Sequence, residues 1–480
     1  MHRSTTGLLL LFCLLIFSQC ADPAETPATS GPPNIILVVV DDLGWRDVGF
    51  MGSTYYETPH LDSLSQRSLV FTNGYAGAAN CAPSRACLLS GQNTPRHGIY
   101  TVSPSDRGNK KTRKLIPTPN TKTLADSVLT LAEVLQSNGY ATCSIGKWHV
   151  GDDPTTQGFD INVGGTHAGH PKTYFSPYQN PNLKDGPEGE YLTERLSSEA
   201  VHFIRNHREE PFFLYLPYFT IHTPLQGKPG LVDKYEGKKM SGGQGRNPHY
   251  AAMIETMDSG IGFIMRTLKS LQLEENTIII FTSDNGGISY LSRQSPLRAG
   301  KGSYYEGGIR VPFMVTWPGR VEGGRKSDAP VTLMDVYPTV LDLLDLEKPA
   351  DKLLDGISLK DHILEGDAIA ERPLYWHFPI YLQAYRKGED QSRDSLFRTR
   401  PGTVMRLGNW KLHEYFEDGA LELYNLEDDL GETNDLSATN PEKAAELHQM
   451  MQTWRESTQA PVPTELNPDY DADFRPQGRR

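Results

Sequence analysis

The chain has 480 residues, of which 38% are hydrophobic and 22% are charged, and its formal net charge is −12. This length predicts one large domain and a smaller second one, and the composition is typical of an ordinary globular protein. The sequence has no basic arm or Lys/Arg-rich stripe, which argues against a nucleic-acid partner. The negative net charge does not exclude an anionic substrate, because the local electrostatic field in a cleft decides whether an anion binds there.

The first 20 residues are typical of a signal peptide. His2 and Arg3 give a short basic start, and residues 8–17 form an apolar run too short to span a bilayer comfortably. Cys20 follows, and residues 21–33 form a linker rich in Pro, Ala and Thr. Two interpretations stay open: Cys20 is the lipid anchor of a bacterial lipoprotein, or ordinary cleavage occurs nearby. Both predict an exported protein, either periplasmic or membrane-anchored at the cell surface.

The region 34–349 alternates predicted strands and helices. A continuous β-branched run at residues 35–40 is typical of a strand that is buried on both faces of a parallel sheet. Further predicted strands lie at 140–145, 212–218, 277–282 and 311–315, with predicted helices at 124–137, 192–206 and 250–271. This alternation predicts an α/β sandwich in which helices flank a large, mostly parallel central sheet.

The pattern changes after residue 349, and we expect residues 350–480 to form a small C-terminal subdomain and a tail. Short predicted strands at 403–407, 410–414 and 421–424 are joined by turns, and 441–455 has the spacing of an amphipathic helix. These features predict a short antiparallel sheet with one covering helix. The tail from residue 459 is rich in Pro and charged residues, so it is expected to be loosely ordered.

Polar residues follow several of the predicted strands. In open α/β sheets the ligand site lies beyond the carboxyl ends of the strands, and the polar residues found there are Asp41, Asp42, Lys147, His149, His222, Asp284 and Asn285. Taken singly, each signal is weak, because an Asp-Asp pair is also typical of turns and caps and a lone His is more often structural. Lys301 lies in a Gly-containing loop, where a solvated charge is also expected. Their common placement favours a functional site.

One short motif gives these residues a chemical context. The chain has five cysteines, too sparse a set for a disulfide framework. Cys81 opens the run Cys-Ala-Pro-Ser-Arg at residues 81–85. This run resembles the signature of the formylglycine-dependent, cysteine-type sulfatases of the alkaline-phosphatase-like superfamily, which include bacterial arylsulfatases and carbohydrate sulfatases. Ser90 and Gln92 stand where that family usually has threonine and arginine, outside the core of the motif.

The resemblance extends to the residues at the strand ends and implies their roles. It implies one calcium ion held by Asp41, Asp42, Cys81, Asp284 and Asn285, and a catalytic set of Cys81, Arg85, Lys147, His149, His222 and Lys301. It also implies that a maturation enzyme oxidises Cys81 to formylglycine (3-oxoalanine), whose hydrated gem-diol attacks the sulfur of a sulfate monoester. With calcium counted at +2, three Asp at −3 and three Lys or Arg at +3, the expected pocket is cationic.

The family scheme also divides the later steps among these residues. His222 and Lys301 are implied to protonate the leaving alcohol and hold the sulfate, and His149 is implied to deprotonate the second hydroxyl. Arg85 and Lys147 are implied to orient the diol.

The expected substrate is a sulfated carbohydrate, and polysaccharide degradation is the expected context, because exported sulfatases commonly act on such sugars. Two alternatives stay open: a phosphonate or phosphodiester hydrolase that uses the same aldehyde, and a non-catalytic glycan-binding lipoprotein. The complete catalytic set argues against the second alternative. The expected protein partner is the formylglycine-generating maturation enzyme.

Two further polar clusters are expected to lie outside the catalytic set. His167 and His170 have close spacing, but the glycines around them favour a loop that contacts substrate or solvent over a second metal site. Trp376 and His377 are candidates for stacking on a sugar, although packed aromatic side chains are more common.

Overall fold

The computed structural model describes residues 2, 31–239, 247–292, 294–385 and 390–475. Apart from residue 2, the expected signal peptide, Cys20 and most of the expected linker therefore lie outside the described residues. Among the helices that are described, none combines the length and the apolar character needed to cross a membrane.

The described residues form fifteen strands and eleven α-helices. The strands are β1 (Asn34–Val40), β2 (Ser68–Tyr75), β3 (Ala141–Ile145), β4 (Ile161–Val163), β5 (Phe212–Pro217), β6 (Thr277–Ser283), β7 (Arg310–Thr316), β8 (Arg325–Ser327), β9 (Val331–Thr332), β10 (Leu374–Phe378), β11 (Leu382–Gln383), β12 (Phe397–Thr399), β13 (Gly402–Leu407), β14 (Trp410–Tyr415) and β15 (Leu421–Asn425). The α-helices are α1 (Pro59–Ser65), α2 (Cys81–Ser90), α3 (Thr94–His97), α4 (Leu131–Ser137), α5 (Leu192–Asn206), α6 (Pro229–Glu236), α7 (Pro248–Ser270), α8 (Glu306–Ile309), α9 (Val336–Leu343), α10 (Lys360–Leu364) and α11 (Pro441–Thr458). Short 3₁₀ helices lie at Gly49–Met51, Lys110–Thr112, Pro154–Gln157, Glu274–Asn276 and Leu333–Asp335.

The central sheet has nine strands in the order β4-β3-β5-β1-β6-β7-β2-β8, and β9 also pairs with β2. Six of its strand pairs are parallel, and the two pairs that involve β7 are antiparallel. The prediction of a large, mostly parallel sheet is therefore confirmed. The neighbours β3, β5, β1 and β6 all run in one direction, so their carboxyl ends meet at one edge of the sheet.

The first strand shows why this sheet needs a continuous apolar sequence. Ile36 and Val38 pack in a core with α1, α5, α6 and α7, whereas Ile35, Leu37 and Val39 pack in a second core with α2, α4, α9 and α10. Successive side chains of a strand point to opposite faces. Because helices cover both faces, each position along β1 has to be apolar.

One predicted helix is shorter in the structure. The side chain of Thr130 accepts the N–H of Glu133 at 3.2 Å, and the Glu133 carboxylate accepts the N–H of Thr130 at 2.7 Å. This capping box starts α4 at Leu131. The prediction that the helix begins at residue 124 is wrong, because apolar spacing alone does not locate a cap. The helix ends before Asn138 and Gly139, as predicted.

The C-terminal sheet has the order β10-β13-β14-β15 and is antiparallel. Helix α11 covers one of its faces, where Leu447 and Met451 pack with Leu412 of β14. On the other face, Trp376 of β10 packs with Tyr75 of the large sheet. The prediction of a short antiparallel sheet with one helix is confirmed, although β10 was not among the predicted strands.

Two segments after residue 349 pack against the large domain. Leu359 and Ile363 belong to the core that contains α2 and α4. In the tail, the N–H of Asn467 donates to the Lys114 carbonyl at 2.9 Å. The expectation of a loosely ordered tail is wrong for residues 459–475, because the backbone around Lys114 supplies its hydrogen-bond partners.

Candidate active site

The candidate site lies at the carboxyl edge of the four parallel strands. Asp41 and Asp42 follow β1 directly, and Asp284 and Asn285 follow β6. The backbone N–H of Asp284 donates to the Val40 carbonyl at 3.1 Å, which continues the ladder between the two strands by one residue. The register of this ladder therefore holds the two polar pairs side by side.

A close backbone approach brings Lys147 into the site. Gly146 joins β3 to Lys147 with a φ of +121°, and a Cβ at this glycine would lie 2.1 Å from the Pro217 carbonyl oxygen. Only glycine fits this position without moving the backbone of β5. The Lys147 Nζ then lies 2.7 Å from Oδ2 of Asp41.

Cys81 is the first residue of α2 and is only 1% exposed. The Lys301 Nζ lies 3.2 Å from its Sγ. Burial raises the pKa of the Cys81 thiol to about 11, although the positive charges of Lys147 and Lys301 act in the opposite direction. Its sulfur and one carboxylate oxygen each of Asp41 and Asp284 lie within 4.8 Å of one another.

Around Cys81, each of three buried cations is paired with one carboxylate. The pairs are Lys147 with Asp41 (2.7 Å), Lys301 with Asp42 (2.6 Å) and Arg85 with Asp284 (2.8 Å). The formal charges of these side chains cancel, so the expected cationic pocket requires an additional positive charge. We call Asp41, Asp42, Cys81, Arg85, Lys147, Asp284, Asn285 and Lys301 the site cluster.

The two neighbouring aspartates differ in acidity. Burial raises the pKa of Asp41 to about 8, and the charge of Lys147 only partly opposes this rise. Burial also disfavours the charged form of Asp42, but the positive charge of Lys301 outweighs it and holds the pKa of Asp42 below its usual value. Asp42 also has a φ of +64°, a left-handed conformation that is uncommon outside glycine and is often found at functional sites.

Three buried oxygens in the site cluster have no hydrogen-bond donor within the described part of the chain. They are Oδ1 of Asp41, Oδ2 of Asp42 and Oδ1 of Asn285. Leaving a buried acceptor unsatisfied costs about 1–3 kcal/mol. These oxygens belong to three of the five residues expected to bind calcium, which prefers carboxylate and amide oxygens. The residues at this position therefore fit a hard divalent cation.

His149 lies beside the site cluster. Its backbone N–H donates to the Thr166 carbonyl at 3.0 Å, and the Nδ1 of its ring has no hydrogen-bond partner among the described residues. A Cβ at Gly169 would lie 2.4 Å from the His149 ring, so the loop passes very close to it. Burial and the positive charge of Lys147 hold the pKa of His149 well below its usual value. The ring of His167 lies 6.1 Å away, edge to face.

His222 lies on the other side of Asp42. Its Nε2 is 3.8 Å from Oδ2 of Asp42, and its Nδ1 is 2.9 Å from the Thr223 carbonyl oxygen. Burial and the positive charge of Lys301 lower the pKa of His222 to about 3. The ring of His170 stacks on it at 5.8 Å. Neither His167 nor His170 belongs to a possible metal-binding group in the described ranges.

The structure brings the residues of the expected site together, including His149 and His222 beside the site cluster. Trp376 and His377 are buried instead, and the Trp376 indole N–H donates to the Ala76 carbonyl at 2.8 Å. They are packed side chains, in line with the commoner of the two expectations. Arg398 also contacts Lys301, and Arg107 lies near Arg398, but no sequence motif marks either arginine.

Comparisons with known proteins agree with this geometry. The family model "Sulfatase" matches residues 33–346, and the model "N-sulphoglucosamine sulphohydrolase, C-terminal" matches residues 300–459. A "Sulfatase" of Formosa agariphila is 30% identical, and the match covers 95% of this chain and 94% of that protein. The N-acetylgalactosamine-6-sulfatase of Homo sapiens is 32% identical over 75% of this chain and 71% of that protein.

A solved structure extends the similarity to the fold. The crystal structure of Ps i-CgsB has a TM-score of 0.74 and 30% sequence identity, covering 91% of this chain and 95% of that chain. The nine-stranded sheet with its flanking helices is therefore the alkaline-phosphatase-like fold of known sulfatases. With a family match across most of its length, the chain belongs to the sulfatase family and is a sulfuric ester hydrolase.

Proposed function

We propose that this sulfatase hydrolyses sulfate monoesters on carbohydrates, with a formylglycine made from Cys81 and one calcium ion. The observation that carries the proposal is the site cluster, in which Cys81 lies among three cation–carboxylate pairs and three oxygens without donors. Most buried polar groups in proteins are hydrogen-bonded, so three neighbouring oxygens without donors are unusual. The oxygens without donors therefore favour a site in which a bound ligand satisfies them.

Calcium would be held by Asp41, Asp42, Asp284, Asn285 and residue 81. When bound, the ion would supply positive charge that favours the sulfate oxygens and the ionised form of a nearby hydroxyl. Because the charges of the three pairs cancel, a divalent ion would leave the site cluster with a formal charge of +2. A sulfate monoester carries one negative charge, so this charge favours its binding.

Formylglycine at position 81 would supply a hydrated aldehyde, one hydroxyl of which would act as the nucleophile, with the nearby carboxylate of Asp284 accepting its proton. We assign to Arg85 and Lys147 the positioning of residue 81, because each is held by a carboxylate within the same buried group. The N-terminus of α2, where residue 81 lies, also favours negative charge.

We assign proton transfers to the side chains at the edge of the site cluster. Lys301, with its Nζ 3.2 Å from the Cys81 sulfur, holds the sulfate and donates a proton to the leaving alcohol. His222 shares this role once the negative charge of the bound sulfate raises its pKa, which is about 3 without substrate. His149 accepts the proton of the second hydroxyl of residue 81 at its Nδ1, which has no partner among the described residues. The C–O bond to the sulfate would then break, so that sulfate leaves and the aldehyde re-forms.

The carbohydrate part of the proposal is supported by the relatives. One of them is named for a sulfated amino sugar, N-acetylgalactosamine 6-sulfate. Ps i-CgsB, at 30% identity, has also been solved in complex with an oligosaccharide, k-i-k-neocarrahexaose. A sulfated carbohydrate is therefore the substrate class that we propose for this chain.

We also propose that the protein is exported, because its first 20 residues have a basic start and an apolar run of signal-peptide length. If Cys20 carries a lipid, wild-type protein should sediment with membranes and the Cys20→Ser variant should be released. Equal distribution of the two proteins would indicate ordinary cleavage instead.

The proposed activity is tested on full-length protein that is coexpressed with a formylglycine-generating enzyme. Mass spectrometry of the peptide containing residue 81 should show an aldehyde in place of the thiol. The protein should then release sulfate from an aryl sulfate and from sulfated sugars in a screen of defined mono- and oligosaccharides. Faster turnover of a matched aryl phosphonate would favour the phosphonate hydrolase alternative, and an unmodified thiol would contradict the proposed nucleophile.

A further inference from the structure

A hairpin of the C-terminal part and a loop of the large domain meet beside the site cluster. The backbone N–H of Tyr381 donates to the Ser105 carbonyl at 2.8 Å, and Asp106 forms a β-bridge with Tyr381. Gly108 packs on β12, since a Cβ there would lie 2.7 Å from the ring of Phe397. These contacts hold Arg107, between Asp106 and Gly108, beside the strand that carries Arg398.

The guanidinium of Arg398 contacts the loop that carries Lys301. Its Nη1 donates to the Lys301 carbonyl at 3.1 Å, and its Nε donates to the Gln383 carbonyl at 3.0 Å. The ring of Tyr385 stacks on it, with 3.5 Å between Cζ and the ring centroid. Arg398 is only 6% exposed. Arg398 is therefore held against the backbone of Lys301, whose side chain contacts Cys81.

Neither of these arginines forms a salt bridge in the described part of the chain. Arg398 donates to the two carbonyls given above, and Arg107 donates to the Ser103 carbonyl at 2.7 Å. By contrast, Arg400, two residues further on, is paired with Asp394 and Glu417. Burial and the positive charge of Arg398 lower the pKa of Arg107, which indicates that the two guanidinium groups repel each other.

A buried cation without an anion is costly unless a ligand supplies the opposite charge. The cations of the site cluster are each neutralised by a carboxylate. Arg107 and Arg398, which we call the arginine pair, are therefore the positive groups near Cys81 that still lack a counterion in the described structure. Guanidinium groups are well suited to sulfate and carboxylate, because they present several N–H donors in one plane.

We propose that the arginine pair binds a second anionic group of the substrate, a sulfate or a carboxylate that is not the one hydrolysed. The substrate class is then an oligosaccharide with at least two negative groups, rather than a singly sulfated sugar. This inference rests on the proposed function, because it needs the scissile sulfate to lie at the site cluster.

The test uses matured full-length protein and three substrates with one carbohydrate skeleton. The first has the scissile sulfate alone, the second has an additional sulfate, and the third has an additional carboxylate. We expect the second anion to raise kcat/KM by about 10- to 100-fold, mainly through KM, since charge-assisted hydrogen bonds have this strength. Comparing the second and third substrates shows which anion the arginine pair prefers.

Variants show whether the preference comes from the arginine pair. Arg107→Gln and Arg398→Gln should each reduce the preference for the doubly charged substrate by about tenfold or more. Arg208→Gln is the matched control, because this exposed arginine lies before β5, at the opposite edge of the sheet. It should keep the full preference. If Arg398→Gln does not fold, the substrate preference of Arg107→Gln, which changes a more exposed side chain, decides the result.

Two outcomes would overturn the inference. One is a wild-type enzyme that hydrolyses the singly sulfated substrate equally well. The other is an equal loss on all three substrates in the Arg107→Gln variant, which would indicate a structural role. Release of sulfate from none of the substrates would instead contradict the proposed function itself.

Discussion

Two buried charge clusters of this enzyme contain similar side chains but differ in their hydrogen bonding. In the site cluster, Asp41, Asp42 and Asn285 each keep one oxygen without a donor in the described structure. The second cluster, which we call the Glu306 network, consists of Tyr75, Glu306, Arg310, Arg406, Lys411, His413 and Glu432. None of its buried side-chain polar atoms lacks a partner among the described residues.

The Glu306 network joins the two sheets. Glu306 accepts hydrogen bonds from Tyr75 of β2 at 2.7 Å and from Lys411 of β14 at 2.9 Å. Lys411 also contacts Glu432 at 2.9 Å, and His413 contacts the same carboxylate at 3.1 Å. The comparison teaches that burial and charge do not by themselves identify a functional site. Incomplete hydrogen bonding distinguishes the site cluster from a network that holds two parts of the fold together.

The largest expected effect separates activity from stability in the site cluster. Cys81→Ala should lower kcat/KM for an aryl sulfate by at least about 10⁴-fold, because it removes the proposed nucleophile. The midpoint of thermal unfolding should change little, since only one thiol is lost. Cys87→Ala, in the same helix, is the control and should retain activity. Equal activity of the two variants would exclude Cys81 as the nucleophile.

The opposite result is expected in the Glu306 network. Lys411→Met leaves the carboxylates of Glu306 and Glu432 buried without their shared cation, so unfolding in urea should show a loss of about 3–5 kcal/mol. The folded fraction should keep its kcat/KM. Lys110→Met, which removes an exposed pair with Asp469, should cost less than about 1 kcal/mol. Loss of activity with unchanged stability would contradict the distinction between the clusters.

Calcium is expected to distinguish the two clusters further, because it should bind to the site cluster and not to the Glu306 network. Saturation with calcium should stabilise the wild type by about 2.7 kcal/mol at 100 times the dissociation constant, which calorimetry detects as a higher unfolding temperature. Asp42→Asn should weaken this shift, whereas Lys411→Met should retain it. An equal shift with magnesium, or a shift that survives Asp42→Asn unchanged, would argue against the calcium site.

The smallest expected effect is a pH dependence of the Glu306 network. Burial disfavours the charged form of Glu306, but the charges of Lys411 and Arg310 outweigh it and lower its pKa from 4.5 to about 2. A carboxylate with a lowered pKa stabilises the fold fully above its unfolded pKa, and this contribution is lost as pH falls from 4.5 towards 2. Urea midpoints should therefore fall less steeply between pH 5 and pH 3 in Glu306→Gln than in the wild type. Parallel curves would show that Glu306 contributes no such dependence.

Much of the site could be predicted from the sequence, because its residues follow buried strands or lie in one motif. The apolar run before Asp41 and the run before Asp284 place both at the same edge of the sheet. The start of α4 could not be found from apolar spacing, since Thr130 and Glu133 define it by mutual hydrogen bonds. Arg107 and Arg398 could not be found either, because only the packing of distant loops brings Arg398 to Lys301 and the loop of Arg107 to Tyr381.

The burial of Cys81 restricts when its proposed oxidation can take place. The residue is the first of a fully buried helix and is 1% exposed in the folded chain, so a second protein has no access to its sulfur. The maturation enzyme that we propose must therefore meet an unfolded or nascent chain, and fast folding would compete with modification. Newly made protein that folds before this encounter would carry a thiol permanently, and the yield of active enzyme would depend on timing as well as on sequence.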